Sequence, residues 1–284
     1  MKRTAWYYIV SFGLGWLLMG LGMALAPVNL ILYQCTVALA MFAPMLGVLA
    51  ACGSLREAKS GIRWRPRLRG HVRHWLLALW GPAALTALGA AVYFLLFPDQ
   101  LDWSLSYVTA LTGGAPAGPI IAIQLLSAVT LAPVFNLVFA LGEEAGWRGW
   151  MTPRLQRRFG PRAGMILSGV IWGVWHWPLI LLVGYNYGTG YPGAPWTGAL
   201  AMCVFTTAAG TLLSWLYARG GSILLPALAH GAVNAVASAP ILFTDGTASS
   251  QLLGPAPVGL VAVLPALAVA IVVLVRPHRE GTME

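Results

Sequence analysis

Residues 118–147 read GPIIAIQLLSAVTLAPVFNLVFALGEEAGW, and this stretch indicates what kind of fold the chain adopts. Its first 25 positions hold no charged side chain, and the adjacent carboxylates of Glu143 and Glu144 follow them. A helix needs about 20 predominantly apolar residues to cross a bilayer. The stretch therefore predicts a transmembrane helix that carries two acidic side chains near one end.

Further apolar stretches of similar length lie on both sides of this one. The full set comprises residues 5–26, 28–53, 75–97, 118–147, 163–184, 197–217, 222–243 and 257–275. No internal repeat is visible, and no long linker divides the chain. We therefore expect a single domain over residues 1–284, an all-α membrane protein of about eight transmembrane helices.

The composition excludes several other classes of protein. Hydrophobic residues make up 58% of the 284 residues and charged residues 9%, whereas a soluble domain has roughly 45–50% and about 25%. A soluble enzyme, a nucleic-acid reader and a disordered chain are therefore excluded. The three cysteines, Cys35, Cys52 and Cys203, lie far apart in apolar stretches and form neither a disulfide framework nor a metal motif.

The basic residues predict the orientation in the membrane. With a cytoplasmic N-terminus, all 17 Lys and Arg residues fall on the cytoplasmic side, in segments 1–4, 54–74, 148–162, 218–221 and 276–284. Short loops rich in Lys and Arg face the cytoplasm, which also explains the net charge of +9 without a nucleic-acid partner. We expect cytoplasmic termini, a retained first helix rather than a cleaved signal peptide, and a multi-pass protein in the lipid bilayer. The Ala-, Gly- and Arg-rich composition favours a prokaryotic plasma membrane.

Few ionisable side chains lie within the predicted spans. They are Glu143, Glu144, His176 and His230, and Arg148 closes the fourth span. A charge inside a bilayer costs roughly 2.5–3.5 kcal/mol on insertion scales, so it usually marks a functional site. At a rise of about 1.5 Å per helical residue, three helices place these groups in the inner half of the membrane. The sequence thus predicts a carboxylate–imidazole site towards the cytoplasmic side.

The spacing of these residues predicts which side chains face each other. Glu144 and Arg148 stand four residues apart, in the order that favours an ion pair on one helix face. Glu143 points about 100° away from Glu144 on the same helix, so we expect it to be free to face a cavity. His230 and Asn234 are also four residues apart, and both are expected to project from one face of the seventh span.

Such a site can perform hydrolysis with water. A carboxylate in a low-dielectric setting can act as a general base on water, and an imidazole can orient the water or pass a proton. An Asn amide and a His N–H can donate to a developing oxyanion. Trp172, four residues before His176, is expected to form a wall of the site. Since the chain has no GxSxG motif, this chemistry would need no Ser nucleophile.

Two alternatives stay open at this point. Zinc accepts both carboxylate and imidazole ligands, and its ligands here would be Glu143, Glu144, His176 and His230. The two His lie on separate helices and no HExxH motif is present, so metal-free chemistry is favoured over a zinc cofactor. The same buried groups could serve a proton-coupled transporter or a non-catalytic peptide-binding or immunity protein.

Three motifs together resemble the CPBP intramembrane proteases, a family that includes the type II CAAX prenyl endopeptidases and bacteriocin-processing or immunity relatives. The EExxxR motif matches residues 143–148, the aromatic–xxx–His motif matches 172–176, and the HxxxN motif matches 230–234. The order agrees with the family pattern, and the matching core covers about 118–243. Trp172 departs from the pattern, because Phe is the usual aromatic there.

The resemblance implies a fold and an activity. The fold would be eight helices enclosing an intramembrane catalytic cavity open to the cytoplasm and the lipid. The activity would be that of an endopeptidase acting on a membrane-associated protein or peptide, with a prenylated CAAX tail as the eukaryotic-type substrate. The family is labelled both metalloprotease and metal-free glutamate protease, so the resemblance leaves the metal open.

The resemblance also implies roles for individual residues. Glu143 would activate water with help from His176. His230 and Asn234 would form the oxyanion site. The supporting residues would be Glu144 and Arg148, and the substrate-pocket residue would be Trp172.

Overall fold

The computed structural model describes residues 2–246 and 251–276, and neither range contains a β-strand. The α-helices in these ranges are α1 (Lys2–Leu25), α2 (Leu30–Ala40), α3 (Ala43–Cys52), α4 (Leu55–Ser60), α5 (Val72–Leu96), α6 (Ser106–Leu111), α7 (Ala117–Val129), α8 (Ala132–Gly146), α9 (Thr152–Phe159), α10 (Pro161–Trp175), α11 (Trp177–Val183), α12 (Trp196–Gly220), α13 (Leu224–Val236) and α14 (Leu264–Val275). A π-helical turn, Trp147–Met151, joins α8 to α9. The 3-10 turns are Pro98–Gln100 and Ala239–Phe243.

The helices confirm that the chain is an all-α, multi-pass integral membrane protein. Among the described residues, six segments are long and apolar enough to cross a membrane: Lys2–Leu25, Leu30–Cys52, Val72–Leu96, Pro161–Val183, Trp196–Gly220 and Leu224–Phe243. The bent pair Ala117–Val129 and Ala132–Phe159 makes a seventh if it is counted as one span. Eight transmembrane helices and cytoplasmic termini therefore stay predictions.

The stretch 118–147, predicted as one helix, is broken in the structure. Its two halves meet at an angle of 48°. Pro133 lies in the first turn of α8, where its ring would clash with the carbonyl four residues earlier if the helix were continuous. The Thr130 hydroxyl donates to the Leu126 carbonyl at 2.6 Å, which satisfies one acceptor at the end of α7. The break changes the direction of α8, the helix that carries both glutamates.

The last predicted span, 257–275, is helical only from Leu264 onwards. The preceding residues form turns in which Leu260 and Val261 donate to the carbonyls of Leu252 and Leu253, each at 2.9 Å. These turns pack closely on α5, because a side chain at Gly89 would collide with the backbone of Ala262. Tertiary packing thus shortens this helix to 12 residues.

Close helix contacts fix the backbone beside the predicted site. A Cβ atom at Gly231 of α13 would lie 2.7 Å from the carbonyl oxygen of Pro133 in α8. A side chain at Gly146 of α8 would collide with Pro44 of α3. Small residues at such crossings let membrane helices approach closely. Since Gly231 follows His230 directly, this packing holds that imidazole against α8.

The outer faces of the helices are apolar, as a lipid environment requires. Large side chains such as Leu95, Ile123 and Phe135 are mostly exposed. The buried charged side chains Glu143, Glu144 and Arg148 lie instead inside the protein, at the end of α8 and just after it. This distribution is opposite to that of a soluble domain and agrees with a protein that spans a bilayer.

The predicted orientation can be tested with single cysteines at Arg65 and Gly190, placed in a chain whose three native cysteines are replaced by serine. Arg65 lies in the basic segment and Gly190 in the loop before α12, and both are exposed. We expect a membrane-impermeant maleimide added to intact cells to label Gly190→Cys only, because Lys- and Arg-rich loops stay in the cytoplasm. Permeabilised cells serve as the control, in which both positions should react. Labelling of Arg65→Cys in intact cells would contradict the orientation.

Candidate active site

The ends of α8 and α10 and the middle of α13 bring six of the seven predicted site residues together. Glu143 and Glu144 occupy the last turn of α8, and Arg148 lies in the π-helical turn that follows. Trp172 and His176 lie at the end of α10, and His230 stands on α13. Asn234 stands one turn beyond His230 but does not join the cluster.

Glu144 is the centre of a buried network. Its Oε1 atom accepts hydrogen bonds from Arg148 Nη1 at 2.9 Å and from His230 Nδ1 at 2.8 Å. The side chains of Glu144 and Arg148 have no exposed surface, and that of His230 has 5%. The ion pair predicted from the spacing is therefore present, with His230 as a third member that the spacing did not predict. Bonds of this kind between charged partners are roughly twice as strong as neutral ones.

The hydrogen bond to Glu144 determines which ring nitrogen of His230 carries a hydrogen. A carboxylate oxygen only accepts, so Nδ1 of His230 carries the hydrogen that it shares with Glu144. Nε2 has no hydrogen-bond partner among the described residues, and it is not one of the atoms fully enclosed by protein. It can donate to an oxyanion when it also carries a hydrogen.

Glu143 has a different environment, although it is adjacent in sequence. Its Oε2 atom accepts from the indole N–H groups of Trp147 at 2.9 Å and of Trp172 at 2.7 Å. The expectation that Glu143 is free is therefore wrong for this oxygen, because two aromatic side chains from different helical segments converge on it. Oε1 has no partner in the described part of the chain and is not enclosed, whereas Oε2 of Glu144 is enclosed and unpartnered.

His176 ends α10 and faces the same region. Its Nδ1 atom lies 3.0 Å from the carbonyl oxygen of Trp172, so Nδ1 carries the hydrogen and the neutral ring has its lone pair on Nε2. The ring packs edge-on against Trp175 at 5.1 Å between centroids. No hydrogen bond joins His176 to Glu143 in the ranges described.

Asn234 is exposed on α13, and its side chain makes no hydrogen bond to any described residue. The predicted i, i+4 relation to His230 holds in the helix, but the amide has no contact that orients it. The assignment of Asn234 to the site stays a prediction.

Sequence reasoning missed two side chains at the site. Trp147 stands four residues after Glu143, and this i, i+4 spacing is a signal that could have identified it. Tyr185 lies in the loop after α11, and no motif in the sequence indicates it. Burial, with Tyr33 and Glu143 nearby, raises the pKa of Tyr185 to about 12. Its phenol is therefore protonated at neutral pH and is available as a hydrogen-bond donor.

The π-helical turn accounts for the direction of Arg148. The Thr152 N–H bonds to the Trp147 carbonyl, the i to i+5 pattern that widens a helix and occurs often at functional sites. Arg148 reaches back to Glu144, and its guanidinium stacks over the Trp172 ring at 4.3 Å. A Cβ atom at Gly210 of α12 would lie 2.8 Å from Arg148 Nη2, so the guanidinium fills the space that this glycine leaves.

The proposed zinc ligands do not form a metal site. Among the described residues, no three His, Cys, Asp or Glu side chains are arranged to hold an ion. Oε1 of Glu144 is bonded to the Arg148 guanidinium, a cation that disfavours a second cation at the same oxygen. Oε2 of Glu143 is taken by two N–H donors. The donor set therefore does not fit zinc.

The fold and this cluster define a class: a multi-pass membrane protein with a glutamate–histidine site among its helices. Residues 119–236 match the family model described as type II CAAX prenyl endopeptidase Rce1-like. The chain is 32% identical over 100 residues to "CAAX prenyl protease 2" of Methanococcus maripaludis, a match covering 34% of this chain and 36% of that protein. The chain thus spans about a third of the length of this curated relative. Both findings confirm the predicted resemblance, and the family match includes all three motifs.

Arg148→Ala tests the buried network. Removal of the guanidinium leaves the Glu144 carboxylate enclosed with one donor fewer, and such a loss costs roughly 3–5 kcal/mol. We expect a clearly lower melting temperature and lower accumulation in the membrane, measured on detergent-purified protein. Arg157→Ala, at an exposed position of α9, is the matched control and should melt like the wild type. An Arg148→Ala protein with unchanged melting temperature would contradict a structural role.

Proposed function

We propose that the protein is a CAAX-type intramembrane endopeptidase that hydrolyses a peptide bond of a membrane-associated protein with water activated by Glu143. One observation carries the proposal. Oε1 of Glu143 makes no hydrogen bond to any described residue, while the other oxygen is held by two indoles. Of the two buried glutamates, Glu143 is thus the one that can receive water, since Glu144 is bonded to Arg148 and His230.

The first step is activation and attack. Glu143 Oε1 removes a proton from water, and Nε2 of His176 accepts a hydrogen bond from the same water and orients it. The water oxygen forms a bond to the scissile carbonyl carbon, and the carbonyl electron pair moves to its oxygen. His230 Nε2–H and the Asn234 amide donate to this oxyanion. Glu144 supports the step by holding the His230 ring through Nδ1.

The second step is collapse of the tetrahedral intermediate. The oxyanion electron pair re-forms the carbonyl, and the C–N bond breaks. Glu143 gives the proton that it took from water to the leaving amine nitrogen. The products are a new carboxylic acid and an amine, and Glu143 returns to its carboxylate form. This sequence uses one water and requires no metal ion.

The name of the relative and one apolar surface depression support the substrate class that we propose. The relative is named a CAAX prenyl protease, so a lipidated C-terminal peptide is the substrate class that we propose. An open surface depression of about 280 Å³ is lined by Trp16, Trp177, Pro178, Leu181 and Leu182. An entirely apolar lining at this position suits a hydrocarbon chain or apolar residues next to the scissile bond. We place the site on the cytoplasmic side of a prokaryotic membrane, as the basic loops predict.

Glu143→Gln tests the role of the base. The amide oxygen can still accept from the Trp147 and Trp172 indoles, but the side chain cannot take a proton. General-base catalysis contributes about 10²–10⁴-fold, so we expect at least this loss in kcat with an unchanged melting temperature. Turnover is measured with a fluorogenic farnesylated CAAX peptide in detergent. His230→Ala should lose about 10²–10³-fold, because an oxyanion donor is removed.

Glu57→Gln is the matched control for this measurement. Glu57 pairs with Arg3 at the protein surface, so the same chemical change there should leave kcat within about twofold, as a typical surface substitution does. A Glu143→Gln protein that retains activity would contradict the proposal. Absence of wild-type turnover on apolar, membrane-anchored peptides as well would instead favour a binding or transport role.

Treatment with chelators tests metal independence. Because every proton transfer and hydrogen bond in the mechanism is made by side chains, we expect EDTA and 1,10-phenanthroline to leave kcat unchanged. The measurement is peptide cleavage after dialysis against each chelator, with a zinc protease treated in parallel as the positive control. Loss of activity that stoichiometric Zn²⁺ restores would show that the metal-free mechanism is wrong. The glutamate would then act on a metal-bound water.

A further inference from the structure

Two tryptophans hold the same oxygen of Glu143. Trp147 Nε1 lies 2.9 Å and Trp172 Nε1 lies 2.7 Å from Oε2. All three residues are buried, with exposures of 0% for Trp147, 3% for Trp172 and 2% for Glu143. The two indoles come from different segments, the π-helical turn and α10. The tertiary fold therefore brings both indole N–H groups to the same oxygen.

Trp172 also contacts the other ionisable groups of the site. Its ring lies under the Arg148 guanidinium at 4.3 Å. It packs edge-on against His230 at 5.1 Å between centroids. Its carbonyl oxygen accepts from Nδ1 of His176 at 3.0 Å, which fixes the tautomer of that ring. Trp172 thus helps to position Glu143, His176 and Arg148.

A carboxylate base needs such restraint. The terminal torsion of a glutamate is broad and roughly two-fold, so its two oxygens exchange places easily. Hydrogen bonds to a charged acceptor are short and directional. Two of them on Oε2 stop the exchange and leave Oε1 as the oxygen without a hydrogen-bond partner among the described residues. A displacement of about 1 Å at a catalytic group can cost roughly 10²-fold in rate, so this restraint has a measurable consequence.

We propose that Trp172 and Trp147 are positioning residues whose indole N–H groups select Oε1 of Glu143 as the oxygen that activates water. The inference rests on the proposed function, because it concerns the base of that reaction. It assigns Trp172 a role beyond the wall of a substrate pocket. The groups with which Glu143 interacts electrostatically are Arg148, His176 and Tyr185. None of these donates a hydrogen bond to Oε2, so the two indoles alone hold that oxygen among the described residues.

The kinetic experiment removes the N–H and keeps the aromatic ring. Trp172→Phe should lower kcat about 10- to 100-fold and leave KM within about threefold, because the substrate contacts are not changed. Trp147→Phe should act in the same direction. Replacement of Trp172 by benzothienylalanine, which keeps the indole shape but has sulfur in place of N–H, should reproduce the loss. Trp80→Phe is the matched control, since its N–H bonds to the neutral carbonyl of Val129.

A second measurement does not depend on activity. In ¹⁵N–¹H spectra of the detergent-purified protein, the indole signals of Trp172 and Trp147 are assigned from their Phe variants. Both signals should move in Glu143→Gln, because the acceptor changes from a carboxylate to an amide. The Trp80 signal should not move.

The outcomes separate this inference from the proposed function. An active wild type together with full kcat in Trp172→Phe and in the benzothienylalanine protein would overturn the positioning role alone. Indole signals whose chemical shifts do not change in Glu143→Gln would overturn the positioning role as well. A wild type without turnover on any lipidated peptide would overturn the proposed function. A raised KM with unchanged kcat would show that Trp172 acts on substrate binding instead.

Discussion

The buried contact of Glu144 with Arg148 and His230 is the interaction on which the rest of the site depends. A carboxylate and a guanidinium without exposed surface have given up their hydration, and their mutual attraction offsets that loss only when the geometry is favourable. The structure meets this condition because Glu144 on α8 bonds both to Arg148 in the following π-helical turn and to His230 on α13. The network therefore joins the helix of the EExxxR motif to the helix of the HxxxN motif while it neutralises the charge.

The helix geometry also explains how two adjacent glutamates acquire different environments. Successive helical residues point about 100° apart, so one carboxylate faces α13 and the other faces α10. Glu144 meets a guanidinium and an imidazole, and its second oxygen is enclosed. Glu143 accepts hydrogen bonds only from neutral indole donors among the described residues, and Oε1 has no such bond. The first environment suits a structural anion, and the second suits a group that exchanges a proton with water.

Much of the architecture could be predicted because a membrane constrains sequence strongly. Each span must be apolar over about 20 residues, so the all-α class could be predicted from the sequence. The details depended on contacts that a hydropathy pattern does not contain. Pro133 breaks the helix predicted over 118–147. The turns formed by residues 251–263 pack on α5, so the last helix begins only at Leu264. A composition window treats both segments as uniformly apolar and cannot detect either effect.

The sequence by itself determined the membrane class, the few ionisable side chains within it and the Glu144–Arg148 pair, because helical periodicity is a local property. Only the tertiary structure decided that His230 joins Glu144, that two indoles occupy one oxygen of Glu143, and that Asn234 is exposed. These are contacts across residues separated by up to 86 positions, and they depend on how α8, α10 and α13 cross. The physical reason is that spacing fixes which face of a helix a side chain occupies, whereas packing fixes what that face meets.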